Sequence, residues 1–456
     1  MIQGLLQALT RFLDNPAIPW KRLIISFSVG QFVFENWLLL RQYGVYSRNT
    51  VPKTLTKEVD QKTFDKSQEY GRAKAKFQFF SSLFSQIKNI AEIQYNAYAY
   101  IWTLVGGFML HRAPERFSGE ITQSLLFFIL FSFANTIIDM PLSYYHHFVM
   151  EEKFGFNKMT KKTWIMDKVK GQLLGIALGV PIGSGVLSII KYSGDSFFYY
   201  VWMFMVGVQL IGVTVYPILI VPIFNKLTPL EAGSLKTGID NLAARLKFPL
   251  TELQVIDGSK RSSHSNAYFT GLPWKKTIVL YDTLIEQQSE EQVVAVLAHE
   301  LGHWHMSHTT KLLAINSGHL FFIFAMFSAF VHNKQLFSEF GFVKEQPILI
   351  GFFLFSEVLN PSECLMQLFM NIMTRSFEYQ ADAFAQKLGY KVELAQALIK
   401  LQIKNLSSMD ADYFYSSYHH SHPILPERLR ALGWDGSEKV PEAPEKKDES
   451  EKAVKA

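Results

Sequence analysis

Long apolar runs recur along this chain at intervals that few folds can absorb. They cover residues 23–40, 93–110, 121–138, 171–190, 196–224, 312–331 and 347–373. The run from Ser196 to Phe224 holds 29 residues without a charge. A helix rises about 1.5 Å per residue, so about 20 apolar residues cross a hydrocarbon core of about 30 Å. A soluble fold would have to bury seven such helices whole, and a chain of 456 residues has too little interior for that. Apolar content, at 48%, is only modestly above that of a globular protein, so the distribution carries the argument. The expected fold class is a mainly α-helical polytopic membrane protein with seven transmembrane helices.

Basic residues orient the spans, because cytosolic loops retain an excess of Lys and Arg. The N-terminus and the loops on its side carry eight of them, whereas segments 41–92, 146–170, 226–309 and 374–456 carry 36. Segment 146–170 is short enough to obey the rule and holds six lysines. The N-terminus is therefore expected in the lumen, with residues 226–310 and the C-terminus in the cytosol. Met1 to Trp20 lack a basic start, an apolar run and a small-residue cleavage site, so no cleaved signal peptide is expected. A formal charge of +5 is small for the length and gives no reason to expect a nucleic-acid partner. Cys364 is the single cysteine, which excludes an intrachain disulfide and a cysteine-ligated zinc site. It reads as a small buried apolar side chain.

Two runs carry acids: Glu35 in the first, and Glu357 and Glu363 on either side of Pro361 in the seventh. At membrane depth such groups face a protein interior or a water-filled cavity. The alternative is that they sit at interfaces beyond misplaced span ends. Residues 226–310 read as α+β, with short strands at Leu253 to Asp257, Asn266 to Phe269 and Thr277 to Tyr281. A helix is expected from Ser289 to Ser307, capped by Ser289, with Glu290 and Glu291 on its positive end. Residues 440–456 have almost no apolar content and are expected to be disordered.

Within that helix, His299-Glu300-Leu301-Gly302-His303 is an H-E-x-x-H pattern. Residues i and i+4 share a helix face, so both imidazoles can reach one Zn²⁺. Glu300 is rotated by about 100°, which carries its carboxylate beside the metal, where it can take a proton from a bound water attacking a carbonyl. The bland alternative is a solvated face with two histidines. His305 and His308 lie close by and read as surface or interface groups.

A catalytic zinc takes a third protein ligand and leaves one position open. No histidine follows at short spacing, and the best candidate is Glu378, which with Asp382 forms another i, i+4 pair on an expected helix. Glu378 would complete the site while Asp382 accepts a hydrogen bond from a ligand imidazole. Alone, such a pair would read as a solvated face. A cluster from Tyr418 through His422 and Pro423 to Arg428 holds three histidines and reads, on its residues alone, as a polar surface loop.

Taken together, H-E-L-G-H, then E-x-x-A-D, then S-H-P with an arginine five residues later resemble the integral-membrane gluzincins, and among these the type 1 CAAX prenyl proteases. Three further runs are similar to that group specifically: Glu152 to Lys158, Tyr216 to Lys226, and Asn266 to Lys276. The resemblance covers about residues 20 to 435. One departure is Thr374, where the family often has serine. The resemblance implies seven membrane helices around an internal chamber, with a small α+β gluzincin-like zinc peptidase region on the cytosolic side. It implies one Zn²⁺ and a location in the endoplasmic reticulum membrane, often also the inner nuclear membrane. Its substrates would be farnesylated CAAX proteins or peptides, which lose their last three residues and in some cases are cut again upstream. By matching positions it makes Asn266 and His422 groups that hold the substrate backbone or oxyanion, and Arg428 a partner of the site.

The chain thus divides into 1–225 with spans one to five, 226–310 with the H-E-x-x-H helix, 311–373 with spans six and seven, 374–439 as a cytosolic helical region with the third ligand, and the tail 440–456. Two rival functions stand beside the main one. A membrane quality-control zinc peptidase would share the metal motif, but the three specific runs argue against it. A non-enzymatic zinc-stabilised carrier would have no need of Glu300.

Overall fold

The computed structural model describes residues 2–435 apart from 113 and 273, so the tail 440–456 lies outside the described residues. The N-terminal half is helical throughout. Helix α1 (Ile2–Leu13) is a short amphipathic element, and α2 (Trp20–Tyr46) pairs with the 34-residue α3 (Gln61–Gln94). Asp60 starts α3 by accepting from the Thr63 N–H, which satisfies one of the free donors of the first turn. There follow α4 (Ala97–Arg112), α5 (Glu120–Tyr145), α6 (Lys161–Tyr192) and α7 (Phe197–Val215). Pro217 supplies no N–H, and the chain widens over Tyr216–Ile220 before the single turn of α8 (Val221–Phe224).

Among the described residues six helical segments are long and apolar enough to cross a membrane: Trp20–Tyr46, Glu120–Glu151, Lys161–Tyr192, Gly194–Phe224, His308–Phe330 and Ile348–Lys387. The remaining expected span, 93–110, falls on α4. Its 16 residues reach about 24 Å at the usual rise, short of a hydrocarbon core. The chain breaks at Asn96, which holds a left-handed φ of 53° and separates α4 from α3. Outward faces are apolar. On the fifth apolar run Leu210, Ile211, Val213, Ile218 and Leu219 are all more than half exposed, an arrangement that lipid tails tolerate and water does not.

The second half inserts a small mixed sheet between apolar helices. It runs β1 (Leu227–Pro229), α9 (Ser234–Leu246), β2 (Leu250–Ile256), β3 (Ala267–Leu272), β4 (Lys275–Tyr281), α10 (Asp282–Gln287) and α11 (Glu290–His305). Strand order is β1-β2-β4-β3, with β2 and β4 parallel and the outer pairs antiparallel. The three expected strands are all present, and β1 is too short to leave a pattern in the sequence. Gly271 turns the β3–β4 hairpin at φ 102°, where a side chain would collide with the Lys275 carbonyl. Then come α12 (His308–Phe330), α13 (Lys334–Glu339), the 40-residue α14 (Ile348–Lys387), α15 (Lys391–Lys404), α16 (Tyr413–His419) and α17 (Leu425–Ala431).

Alternation along the strands sends Leu253, Ala267, Ile278 and Leu280 to one face, where they meet Val293, Leu297 and Leu301 of α11 and residues of α9, α15 and α17. A second core, built on Trp20, Trp102, Phe127, Phe327 and Phe355, holds the far end of the helical bundle together. Of the acids on the seventh run, Glu357 accepts from Asn360 at 3.3 Å, while Glu363 Oε1 lies 3.1 Å from His319 Nε2 without forming a hydrogen bond. Cys364 is half-buried, not fully enclosed as expected.

Candidate metal centre

Helix α11 begins as its sequence dictates. Ser289 accepts from the Gln292 N–H, the Gln292 side chain returns the bond to Ser289, and Glu290 and Glu291 occupy the first turn. The residues from Val293 to Ala298 are all buried, so α11 is locked as a central core helix. Gly302 lets α14 cross closely, since a side chain there would lie 3.1 Å from the Phe384 ring and 3.3 Å from the Ala381 backbone. This approach brings Glu378 and Asp382 against the two histidines.

At the crossing, His299 Nε2 lies 3.2 Å from His303 Nε2 and 3.4 Å from Glu378 Oε2, and His303 Nε2 lies 3.3 Å from Glu378 Oε1. A tetrahedral ion held at about 2.0–2.1 Å has ligand atoms about 3.3–3.4 Å apart. The three donors therefore already stand at the corners of such a site. Glu378 is buried and its Oε2 has no hydrogen-bond donor, as expected of an atom reserved for a cation. The chemistry of the set, two imidazoles and a carboxylate, fits a divalent metal held by three protein ligands.

The outer groups are arranged around these three. Asp382, 1% exposed, lies 2.9 Å from His299 Nδ1, which as an N–H donates to it. Arg428 clamps the same carboxylate with two bonds of 2.6 and 2.9 Å, and its third nitrogen is 3.7 Å from Glu378 Oε2. The buried guanidinium thus compensates two carboxylates that would otherwise be costly to bury. Burial lowers the His299 pKa, but the hydrogen bond to Asp382 and the nearby Glu378 carboxylate outweigh it and push the value up to about 9. A proton thus competes for the position that a metal would take. Burial pushes the Glu300 carboxyl above its ordinary value, partly offset by the nearby histidines. Among the described residues Glu300 accepts no hydrogen bond from a protein group.

His422 reaches Glu378 Oε1 at 3.3 Å from the open side and is 64% exposed, so it borders the site without being enclosed in it. Asn266 is set apart. It opens the edge strand β3, its side-chain oxygen accepts from the Ala267 N–H, and no hydrogen bond ties it to the histidine–glutamate cluster. The run Glu152 to Lys158 braces the chain just ahead of it: the Lys158 N–H donates to Arg261 O, Asn157 pairs with Ser262, and Phe156 stacks on His264 at 4.4 Å. Of the two histidines read as surface or interface groups, His305 is exposed, while His308 is 1% exposed and makes a contact with the metal-site histidine, its Nδ1 only 3.0 Å from His303 Nδ1. Sequence reasoning missed it, and five-residue spacing on a continuous helix would indeed have turned it away.

Known proteins are similar to this chain over most of its length. Residues 42–226 match the family described as CAAX prenyl protease N-terminal, five membrane helices, and residues 229–434 match peptidase family M48. The chain is 46% identical to CAAX prenyl protease 1 of Saccharomyces cerevisiae over 448 residues, covering 94% of this chain and 99% of the yeast protein. It is 38% identical to the Homo sapiens CAAX prenyl protease 1 homolog over 450 residues, covering 90% and 94%. The crystal structure of S. mikatae Ste24p superposes with a TM-score of 0.88 at 46% identity, covering 92% of this chain and all of that one. A polytopic bundle carrying H-E-x-x-H and a distant glutamate in one pocket, matched end to end by these relatives, places the chain in peptidase family M48, among the membrane metallopeptidases of CAAX prenyl protease type.

Proposed function

We propose that this chain is a zinc-dependent endopeptidase that removes the C-terminal aaX tripeptide from prenylated CAAX proteins, farnesylated ones in particular, and can cut the same substrate again upstream. The observation that carries this reading is the 3.2–3.4 Å spacing of the His299, His303 and Glu378 donor atoms, with Glu300 unbonded beside them. These three residues hold one Zn²⁺. When bound, zinc polarises the scissile carbonyl and lowers the pKa of water from 15.7 towards about 7. Glu300 takes the proton from the attacking water and passes it to the leaving nitrogen. Asp382, held by Arg428, keeps His299 in the tautomer with a bare Nε2. His422, on the open side of Glu378, donates to the developing oxyanion. The peptide pairs along the free edge of β3, beginning at Asn266.

In this reading α4 adds a seventh membrane helix, and the spans enclose a chamber in the endoplasmic reticulum membrane, with the inner nuclear membrane a second site of residence. An open groove of about 750 Å³ between α5 and α6 carries Ser132, Asn135, Thr136, Asp139 and Gln172, and polar groups on apolar spans need water or one another. The lysine-rich side, with residues 226–310 and the helices after 374, faces the cytosol and the N-terminus faces the lumen.

The test is to incubate detergent-purified protein with a farnesylated CAAX peptide, with and without a zinc chelator, and to read the products by mass spectrometry. Chelator-sensitive loss of three residues is expected, and Glu300→Gln should retain zinc while kcat falls about 10²–10⁴-fold. Normal turnover by that variant would remove Glu300 from the mechanism. Cleavage of unfolded peptides, with zinc bound but the farnesylated peptide intact, would favour a quality-control peptidase. His422→Ala should keep zinc and lower kcat about 10²–10³-fold. Loss of zinc in this variant would make His422 a ligand instead.

A further inference from the structure

We infer that His308 and Gln380 form a neutral hydrogen-bond relay that fixes the tautomer and orientation of His303, and that this relay sets how tightly the metal is held on that side. The inference rests on the metal-centre reading above. His303 Nδ1 lies 3.0 Å from His308 Nδ1, and His308 Nε2 lies 3.3 Å from Gln380 Oε1. The Gln380 amide nitrogen in turn donates to Ser376 Oγ at 3.2 Å. Two ring nitrogens at 3.0 Å need one proton between them. If His303 supplies it, His303 Nε2 is bare and faces the metal position. His308 then carries its own proton on Nε2, aimed at the Gln380 carbonyl oxygen, and every donor in the chain meets an acceptor.

The reverse assignment fails at both ends. It would place an N–H on His303 Nε2, 3.2 Å from His299 Nε2 and inside the metal position. With the Gln380 amide turned as it is, donating to Ser376, it would also set a bare His308 Nε2 against the Gln380 oxygen, an acceptor facing an acceptor.

The backbone is shaped for this contact. Helix α11 ends at His305, and Ser307 adopts a left-handed conformation, φ 56°, before α12 begins at His308. A serine in that region is strained and persists only where the surroundings enforce it. The turn returns the His308 ring beneath His303 and stacks it on Phe377 at 4.1 Å and 6°. The ring is 1% exposed, so its polar atoms have no water to replace a lost partner. His308 is thus a positioning residue and not a ligand.

The experiment measures zinc affinity by chelator competition on the purified full-length protein, alongside its thermal unfolding. The wild type is expected to bind zinc tightly; if it does not, the metal-centre reading itself fails. His308→Ala should weaken zinc binding by about 10–100-fold, the usual cost of losing an outer partner of a ligating histidine. His308→Asn, whose side-chain oxygen can accept where Nδ1 did, should recover most of the loss. Gln380→Leu should weaken binding in the same direction by less. Wild-type affinity in His308→Ala, or in Gln380→Leu, would overturn the relay. Equal losses in His308→Ala and His308→Asn, each with a matching fall in unfolding temperature, would overturn it too, because they would make His308 a packing residue only.

Discussion

Where α11 crosses α14, charged side chains are taken out of water and matched to one another: Arg428 with Asp382, and Asp382 with His299. Along the spans Glu120–Glu151 and Gly194–Phe224, by contrast, only 6% of the apolar window is buried, and the exposed side chains are mostly apolar, such as Phe133, Ile137, Leu210 and Ile211. The first region depends on specific partners, so its sequence is constrained residue by residue. The second depends on being greasy enough for lipid, and many sequences satisfy that. Substitutions should therefore fall into two groups of very different size.

The largest effect is expected at Arg428. Arg428→Met preserves length and volume but leaves the 1%-exposed Asp382 without its cationic partner. Breaking a buried pair on one side costs about 3–5 kcal/mol. The variant should melt at lower temperature in detergent and lose zinc faster to a chelator. Unchanged melting and zinc retention would show that the charged crossing is not what holds this region, and the contrast with the spans would collapse.

The same contrast explains what the sequence disclosed and what it withheld. His299 and His303 were legible because i, i+4 spacing on one helix fixes a shared face, with Glu300 beside them, whereas Glu378 with Asp382 stood out only in the light of that motif. Ser289 and its capping partners announced the start of α11 for the same local reason. His308 was not legible: on an unbroken helix its side chain would lie about 140° from that of His303. The break at Ser307 uses neither Gly nor Pro, so nothing in the string of residues marked it. Asn96 hides the split between α3 and α4 in the same way, which is why the second apolar run read as one full-length span. The role of Arg428 depends on α17 folding back onto α14 from 46 residues away, and no local pattern encodes such a contact. Only the resemblance to a known family pointed to it.

A matched pair of leucine truncations sharpens the comparison at its smaller end. Leu297 lies in α11, 1% exposed, among Val293, Leu301 and the sheet. Leu297→Ala opens a cavity in a packed core and should cost about 2–5 kcal/mol. Leu210 lies in α7, 52% exposed on the face turned to lipid. Lipid tails are as apolar as the side chain they would replace, so Leu210→Ala removes little driving force and should stay within about 0.5 kcal/mol of the parent. Thermal unfolding of the two variants in the same detergent, followed by a bilayer-mimicking nanodisc, separates them. If Leu210→Ala destabilises the protein as much as Leu297→Ala, then α7 packs against protein at that face, and the lipid-facing surface of the bundle must be redrawn around it.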